Sequence, residues 1–227
     1  MKNIIFENRR DAGRQLAEVF TKRDYSNQPL AVLGIPRGGV VVADEVAGAL
    51  SSPLDVVIVR KLRAPYQPEL GIGAVVDGDN INIINEELVR ALGVSSDYLN
   101  SEIACQREEI ERRLRIYRGD RLAPEVTGKT VIVIDDGIAT GYTFRAALEG
   151  LRRRKPAWLV AAAPVAAQSS IDMLSAFADE MVFLSTPVSF FSVGTWYHDF
   201  DQVSDEEAVA ILHRSWSRFK PQKPVEN

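Results

Sequence analysis

Five short apolar bursts set the tightest limit on what this chain can become: Leu30–Ile35, Leu54–Lys61, Thr130–Asp135, Ala157–Val165 and Glu180–Thr186. They are near-continuous rather than alternating, the pattern of strands buried on both faces. Helix-compatible spacing follows at Val40–Leu50, Tyr142–Arg154 and Gln168–Phe177. Strand–helix alternation of this kind predicts an α/β fold: a Rossmann-like, mainly parallel central sheet flanked by helices. In such sheets ligands bind beyond the carboxyl ends of the strands, so the loops after the strands are where chemistry is expected.

Two stretches interrupt the alternation. Residues 62–85 are polar and punctuated by Gly and Pro, with weak strand signals at GIGAVV and INII. They predict an exposed, flexible loop over about 62–80. Residues 86–121 are rich in Arg and Glu and predict an insertion of one or two surface helices whose charges face solvent. The 227 residues suit a single domain. Its core is expected at about 28–62 and 125–186, with a small lobe mainly at about 187–203 to which N-terminal residues contribute.

Charge and composition narrow the function. Lys and Arg number 27 against 31 Asp and Glu, a formal net charge of −4. That balance argues against DNA as a partner, although one basic pocket could still take a small anion. A single cysteine, Cys105, excludes an intrachain disulfide, and two histidines, His198 and His213, leave little for a metal cluster. The first dozen residues lack the apolar stretch of a signal peptide. The longest apolar run, Ala157–Ala167, is interrupted by Pro164 and falls short of the roughly 20 residues that span a bilayer. The expectation is a soluble, cytoplasmic protein.

The loop after the third burst is the most informative. Val131-Ile132-Val133-Ile134 delivers Asp135 and Asp136 to a strand end, and Gly137-Ile138-Ala139-Thr140-Gly141-Tyr142-Thr143 leads into a helix. A helix N-terminus offers unpaired N–H groups and the positive end of a dipole, which suits a phosphate. Ala139 to Thr143 let the phosphate approach the backbone, and Thr140 and Thr143 add hydroxyl donors. The carboxylate pair can accept hydrogen bonds from vicinal sugar hydroxyls. A second loop, Gly34-Ile35-Pro36-Arg37-Gly38-Gly39, ends the first burst. Gly38 and Gly39 can turn N–H groups inward to form an anion nest, and Arg37 supplies a fork for phosphate oxygens. No GxxxxGK[ST] pattern occurs, so a nucleotide-triphosphatase loop is absent.

The segment 131–143 resembles the 5-phosphoribosyl-1-pyrophosphate (PRPP) motif of the type I phosphoribosyltransferases. That resemblance implies transfer of a phosphoribosyl group from PRPP to a nitrogen acceptor, with pyrophosphate released. Asp135 and Asp136 would take the ribose hydroxyls. Ala139, Thr140, Gly141, Tyr142 and Thr143 would take the 5′-phosphate. Arg37, Gly38 and Gly39 would hold pyrophosphate, in a loop the family often builds with a cis peptide. Arg60 and Lys61 resemble positions that neighbour the pyrophosphate, and Arg63–Gly73 corresponds to the mobile loop that closes to exclude water. Magnesium is expected to bind with PRPP.

The aromatic stretch Pro187–Phe200 resembles the hood of the purine-type enzymes. Phe191 fits the base-stacking position and Val193 the pair that follows, with Trp196 also expected against the acceptor. Asp199, one residue later than in the family pattern, is the candidate neighbour of magnesium. Ala139 stands where some hypoxanthine/guanine enzymes carry an Asp, so the acceptor is expected to be purine-like without hypoxanthine or guanine as the default. Family analogy implies a homodimer. The alternative reading is a PRPP- or nucleotide-binding regulatory protein without catalysis.

Overall fold

A computed structural model describes residues 6–23, 25, 28–78 and 81–219. In chain order it contains α1 (Arg9–Thr21), β1 (Leu30–Gly34), α2 (Gly38–Ala49), β2 (Leu54–Val56), β3 (Val59–Ala64), β4 (Gln67–Val76), β5 (Ile81–Ile84), α3 (Glu86–Ala91) and α4 (Ser96–Arg118). Then follow β6 (Thr130–Ile134), α5 (Tyr142–Arg153), β7 (Trp158–Val165), α6 (Gln168–Leu174), β8 (Glu180–Ser185), a short 3-10 turn (Val193–Trp196) and α7 (Asp205–Arg218).

The central sheet runs β2-β1-β6-β7-β8, and every pairing is parallel. Successive residues along each strand point to opposite faces, and both faces are covered. Val32, Ile132 and Val160 pack with Phe20, Val42 and Ile211 from α1, α2 and α7. Leu33, Val131 and Ala161 pack with Phe144, Leu148 and Leu174 from α5 and α6. Double coverage is why these strands read as unbroken apolar bursts. Among the described residues no helix is long and apolar enough to cross a membrane.

The helix starts differ in a way that bears on the site. α1, α3, α4 and α7 are capped by the side chains of Asn8, Asn85, Ser95 and Ser204. α2, α5 and α6, which all begin beyond the carboxyl ends of parallel strands, have no side-chain cap. Among the described residues the first N–H groups of α2 and α5 therefore remain open along one edge of the sheet, whereas at α6 Gln168 N donates to the Pro187 carbonyl at 3.1 Å.

Two expectations are corrected here. The burst Leu54–Lys61 is not one strand: Leu54–Val56 joins the parallel sheet, and the chain leaves it before starting β3 at Val59. The expected loop over 62–80 is instead largely an antiparallel sheet, β3-β4-β5, with its hairpin tip at the fully exposed Tyr66. Leu62, Ala64, Ile72, Ala74 and Val76 are buried within it. Their alternation is broken in sequence by Gly71, Gly73 and Pro68, and the ladder itself shifts register beside Arg63, so no clean period of two survives.

Residues 86–121 form the expected helices α3 and α4, but their polar face is not wholly solvated. Gln106, Ile110, Tyr117 and Arg118 are buried. Arg118 donates to Asp55 of β2 at 2.6 Å and pairs with Asp77, just after β4, at 3.0 Å. One cation thereby joins both sheets. Burial pushes the Asp77 carboxyl above its ordinary range, and Arg118 opposes that shift.

The small lobe ties the start of the described chain to residues 196–198. Phe6 forms a parallel bridge with Tyr197; its N–H donates to the Trp196 carbonyl, and its carbonyl accepts from His198 N, each at 2.8 Å. Phe6, Ala12, Val165, Trp196 and Tyr197 make a separate apolar cluster that seats this hood on the strand edge.

Candidate functional site

The loops after β1 and β6 are neighbours because their strands are. Gly34 pairs with Ile134, and Ile35 N donates to the Ile134 carbonyl at 2.8 Å. The two carboxylates and the start of α2 consequently pack against each other. A Cβ on Gly38 would overlap Asp136 Oδ2, and one on Gly39 would lie 2.6 Å from the Ile134 carbonyl oxygen. These glycines thus have a packing reason to be there beside the anion-nest reason read from sequence.

Arg37 is the N-cap residue of α2, half-buried, and the Pro36–Arg37 peptide is cis. Among the described residues, no hydrogen bond or ion pair engages its side chain, so its guanidinium is available to an anion.

The loop after β6 ends in an open helix start. Gly141 sits in the left-handed region at φ +75°, which only glycine adopts at little cost. A side chain there would also strike Met173 and Ser170 of α6, and Ser170 Oγ donates to the Ala139 carbonyl. Thr140, Tyr142 and Thr143 are exposed above this support. Among the described residues, the backbone N–H groups from Thr140 to Phe144 have no backbone acceptor outside the helix, and the first bond onto the loop is Arg145 N to the Gly141 carbonyl. A run of free N–H groups at the positive end of a helix is an anion seat.

The carboxylates differ from each other. Asp135 Oδ1 accepts from Asp136 N at 2.8 Å. Burial, and then the adjacent Asp136 charge, hold the Asp135 carboxyl well above the usual range. Asp136 Oδ2 accepts from Arg9 Nε at 2.6 Å. The Asp136 carbonyl accepts from the Tyr197 hydroxyl, whose own ionisation is pushed up by burial and by Asp136.

The hood rests directly on this loop. A Cβ on Gly137 would overlap a Val193 methyl, so Val193 closes over the loop beside the acidic pair. Phe191 is 94% exposed and free to stack on a flat ligand. Trp196, expected against the acceptor, is instead buried beside Phe6 and Val165 and stacks with Phe190 at 6.2 Å. Its bulk is used to seat the hood.

Two further expectations meet a different placement. Arg60 and Lys61 lie on β3 of the antiparallel sheet. Arg60 Nε donates to Gln106 of α4 at 3.0 Å, and Lys61 Nζ to the Glu69 carbonyl at 2.8 Å. Both are committed within that lobe, because the chain leaves the parallel sheet before reaching them. Asp199, the candidate neighbour of magnesium, is exposed and accepts from Asp201 N at 3.2 Å.

Sequence reasoning missed Arg9, Tyr197 and Ser170, whose hydrogen-bond partners in the site lie 127, 61 and 31 positions away. Met173, which packs against Gly141 from α6, was missed for the same reason. No local pattern announces contacts between separate elements.

Residues 4–198 match the phosphoribosyl transferase domain family. Proteins from two strains of Mycobacterium tuberculosis, provisionally named phosphoribosyl transferases, are 40% identical over 215 residues, which is 95% of this chain and 48% of each relative. The chain thus spans about half the length of these curated relatives. The crystal structure of TT1426 from Thermus thermophilus superposes with a TM-score of 0.80 at 41% identity, covering 92% of this chain and 98% of that one.

Proposed function

This chain belongs to the phosphoribosyl transferase family, and from that premise we propose that it transfers the 5-phosphoribosyl group of Mg-PRPP to a ring nitrogen of a purine-like base. In this reaction the bond between ribose C1 and the pyrophosphate oxygen breaks, and pyrophosphate leaves with the electron pair. The base nitrogen forms the new bond to C1 and gives up its proton to solvent. The observation that carries the reading is the pair of uncapped helix starts, after β1 and β6, flanking adjacent carboxylates at two neighbouring strand ends.

Each part has a task. The free N–H groups at 140–144, with the Thr140 and Thr143 hydroxyls, take the 5′-phosphate. Asp135 and Asp136 accept from the ribose hydroxyls and orient the sugar. Arg37, with the N–H groups of Gly38 and Gly39, takes the pyrophosphate and stabilises its growing charge. Magnesium would be held with the pyrophosphate beside Arg37, Gly38 and Gly39, where it would neutralise part of the leaving group's charge. Phe191 stacks on the base and Val193 closes over the sugar. Catalysis on this scheme is positioning and charge stabilisation, with no covalent step on the protein.

Calorimetry with Mg-PRPP, followed by pyrophosphate release across a panel of bases that begins with adenine, tests the proposal. Micromolar binding with release on at least one base is expected. Absence of binding at millimolar Mg-PRPP would sink it, and binding without release on any base would favour a PRPP-binding regulator.

A further inference from the structure

Arg9 opens α1, far in sequence from both anion loops, yet its guanidinium has three partners. Nε donates to Asp136 Oδ2 at 2.6 Å, Nη1 donates to the Asp201 carbonyl at 2.7 Å, and the ring of Phe200 lies 3.7 Å beneath it. Only 11% of the Arg9 side chain and 15% of that of Asp136 is exposed, so the pair is shielded from solvent screening. The same Arg9 Nε would lie 2.7 Å from a Cβ at Gly38. One side chain therefore touches the carboxylate loop, the start of α2 and the far end of the hood.

We infer that Arg9 is a positioning residue: its guanidinium fixes Asp136 on one side and the hood at Phe200 and Asp201 on the other, and so sets where donor sugar and acceptor meet. The inference rests on the ribosyl-transfer reading above. A planar fork suits this role. A monodentate cation can neutralise Asp136, but it cannot also hold the Asp201 carbonyl and stack flat on Phe200. Arg9 also faces the Asp135 carboxylate and the Tyr197 hydroxyl, which approach Asp136 from β6 and from the hood. Burial and the Asp136 charge raise the Asp135 carboxyl, and the adjacent fixed cation opposes that shift while it holds Asp136 in place to accept from a diol.

Two measurements on the full chain, with Arg9→Gln, Arg9→Lys and Phe200→Leu, test this. Hydrogen exchange without ligand should be faster by roughly tenfold in both 135–141 and 196–203 for R9Q. For R9K it should return toward wild type in 135–141 only, and for F200L it should rise in 196–203 only. Mg-PRPP affinity should fall roughly 10- to 100-fold in R9Q and stay within about threefold of wild type in R9K. Unchanged exchange in both segments of R9Q, or wild-type affinity in that variant, overturns the role. If R9Q fails to fold, R9K and F200L decide it, since the role requires each to loosen the hood while 135–141 stays protected. If the wild-type protein does not bind Mg-PRPP, the ribosyl reading falls, and the exchange data alone still decide whether Arg9 joins the two segments.

Discussion

In the parallel sheet, polar groups gather at the carboxyl ends of β1 and β6, where the fold leaves Arg37 and the N–H groups at 140–144 without partners among the described residues. In the antiparallel sheet they are spread along β3, and each is matched nearby: Arg60 by Gln106, Lys61 by Glu69, Arg63 by Glu102. Arginine and lysine in the second region are as basic as those in the first, but each already has a protein partner. What marks a site is not charge in sequence but charge and donors that folding leaves open at a helix start.

The strongest way to break this comparison is at Arg118, where the regions are joined. Arg118→Ala leaves Asp55 and Asp77 buried without their cation and should cost about 3–5 kcal/mol in urea unfolding. A loss below about 1 kcal/mol would show that the two sheets do not depend on this junction. A second test contrasts function. Asp135→Asn combined with Asp136→Asn should weaken Mg-PRPP binding roughly 100-fold or more, through loss of charge-assisted hydrogen bonds, whereas Arg60→Ala should change it by less than about threefold. Calorimetry giving comparable losses would put β3 back in the site.

The two smaller tests use pH, where the regions should respond with opposite sign. Asp135 is raised by burial and by Asp136, so its contribution to stability is fully present below its unfolded value and is lost as pH rises through its folded value. Asp135→Asn should therefore stabilise the free protein at neutral pH, a gain that shrinks as pH falls toward the ordinary carboxylate range. Glu109 on α4 is held down to about 2 by Arg112 and Arg113. Its contribution is present above the ordinary carboxylate value and is lost as pH falls through that lowered value. Glu109→Gln should cost at most about 0.5 kcal/mol after solvent screening, visible at neutral pH and absent near pH 2. Thermal melts from pH 2 to 8 read both.

The same contrast explains what the sequence disclosed. The parallel strands announced themselves because burial on both faces demands unbroken apolar runs, as in Val131–Ile134. The anion loops were legible because glycine, adjacent carboxylates and a helix start are contiguous. β4 and β5 gave only weak signals, at GIGAVV and INII, and β3 was run together with β2, because Gly and Pro interrupt the alternation and the buried face is completed by α4 and α5 from elsewhere in the chain. Trp196 read as an acceptor contact because an aromatic-rich segment looks the same whether its rings face a ligand or, like Trp196, face Phe6. Arg118 was lost among the charges of α4, since nothing local separates a buried arginine from a solvated one.

The pairing of β1 with β6 also fixes the order in which the molecule can assemble. Leu30 pairs with Thr130, Arg9 reaches Asp136 across 127 positions, and Phe6 waits for Trp196. A ribosome releasing this chain from its N-terminus delivers α1 and the first anion loop long before their partners exist. Contacts this distant make folding slow, because the chain between them must be closed before they repay the cost. Lengthening that intervening chain is nearly free, since each doubling adds only about 0.6 kcal/mol of closure cost. Extra residues can thus be tolerated in an exposed turn of that stretch, such as 92–95 between α3 and α4, whereas α4 itself is held by Arg118 between the two sheets.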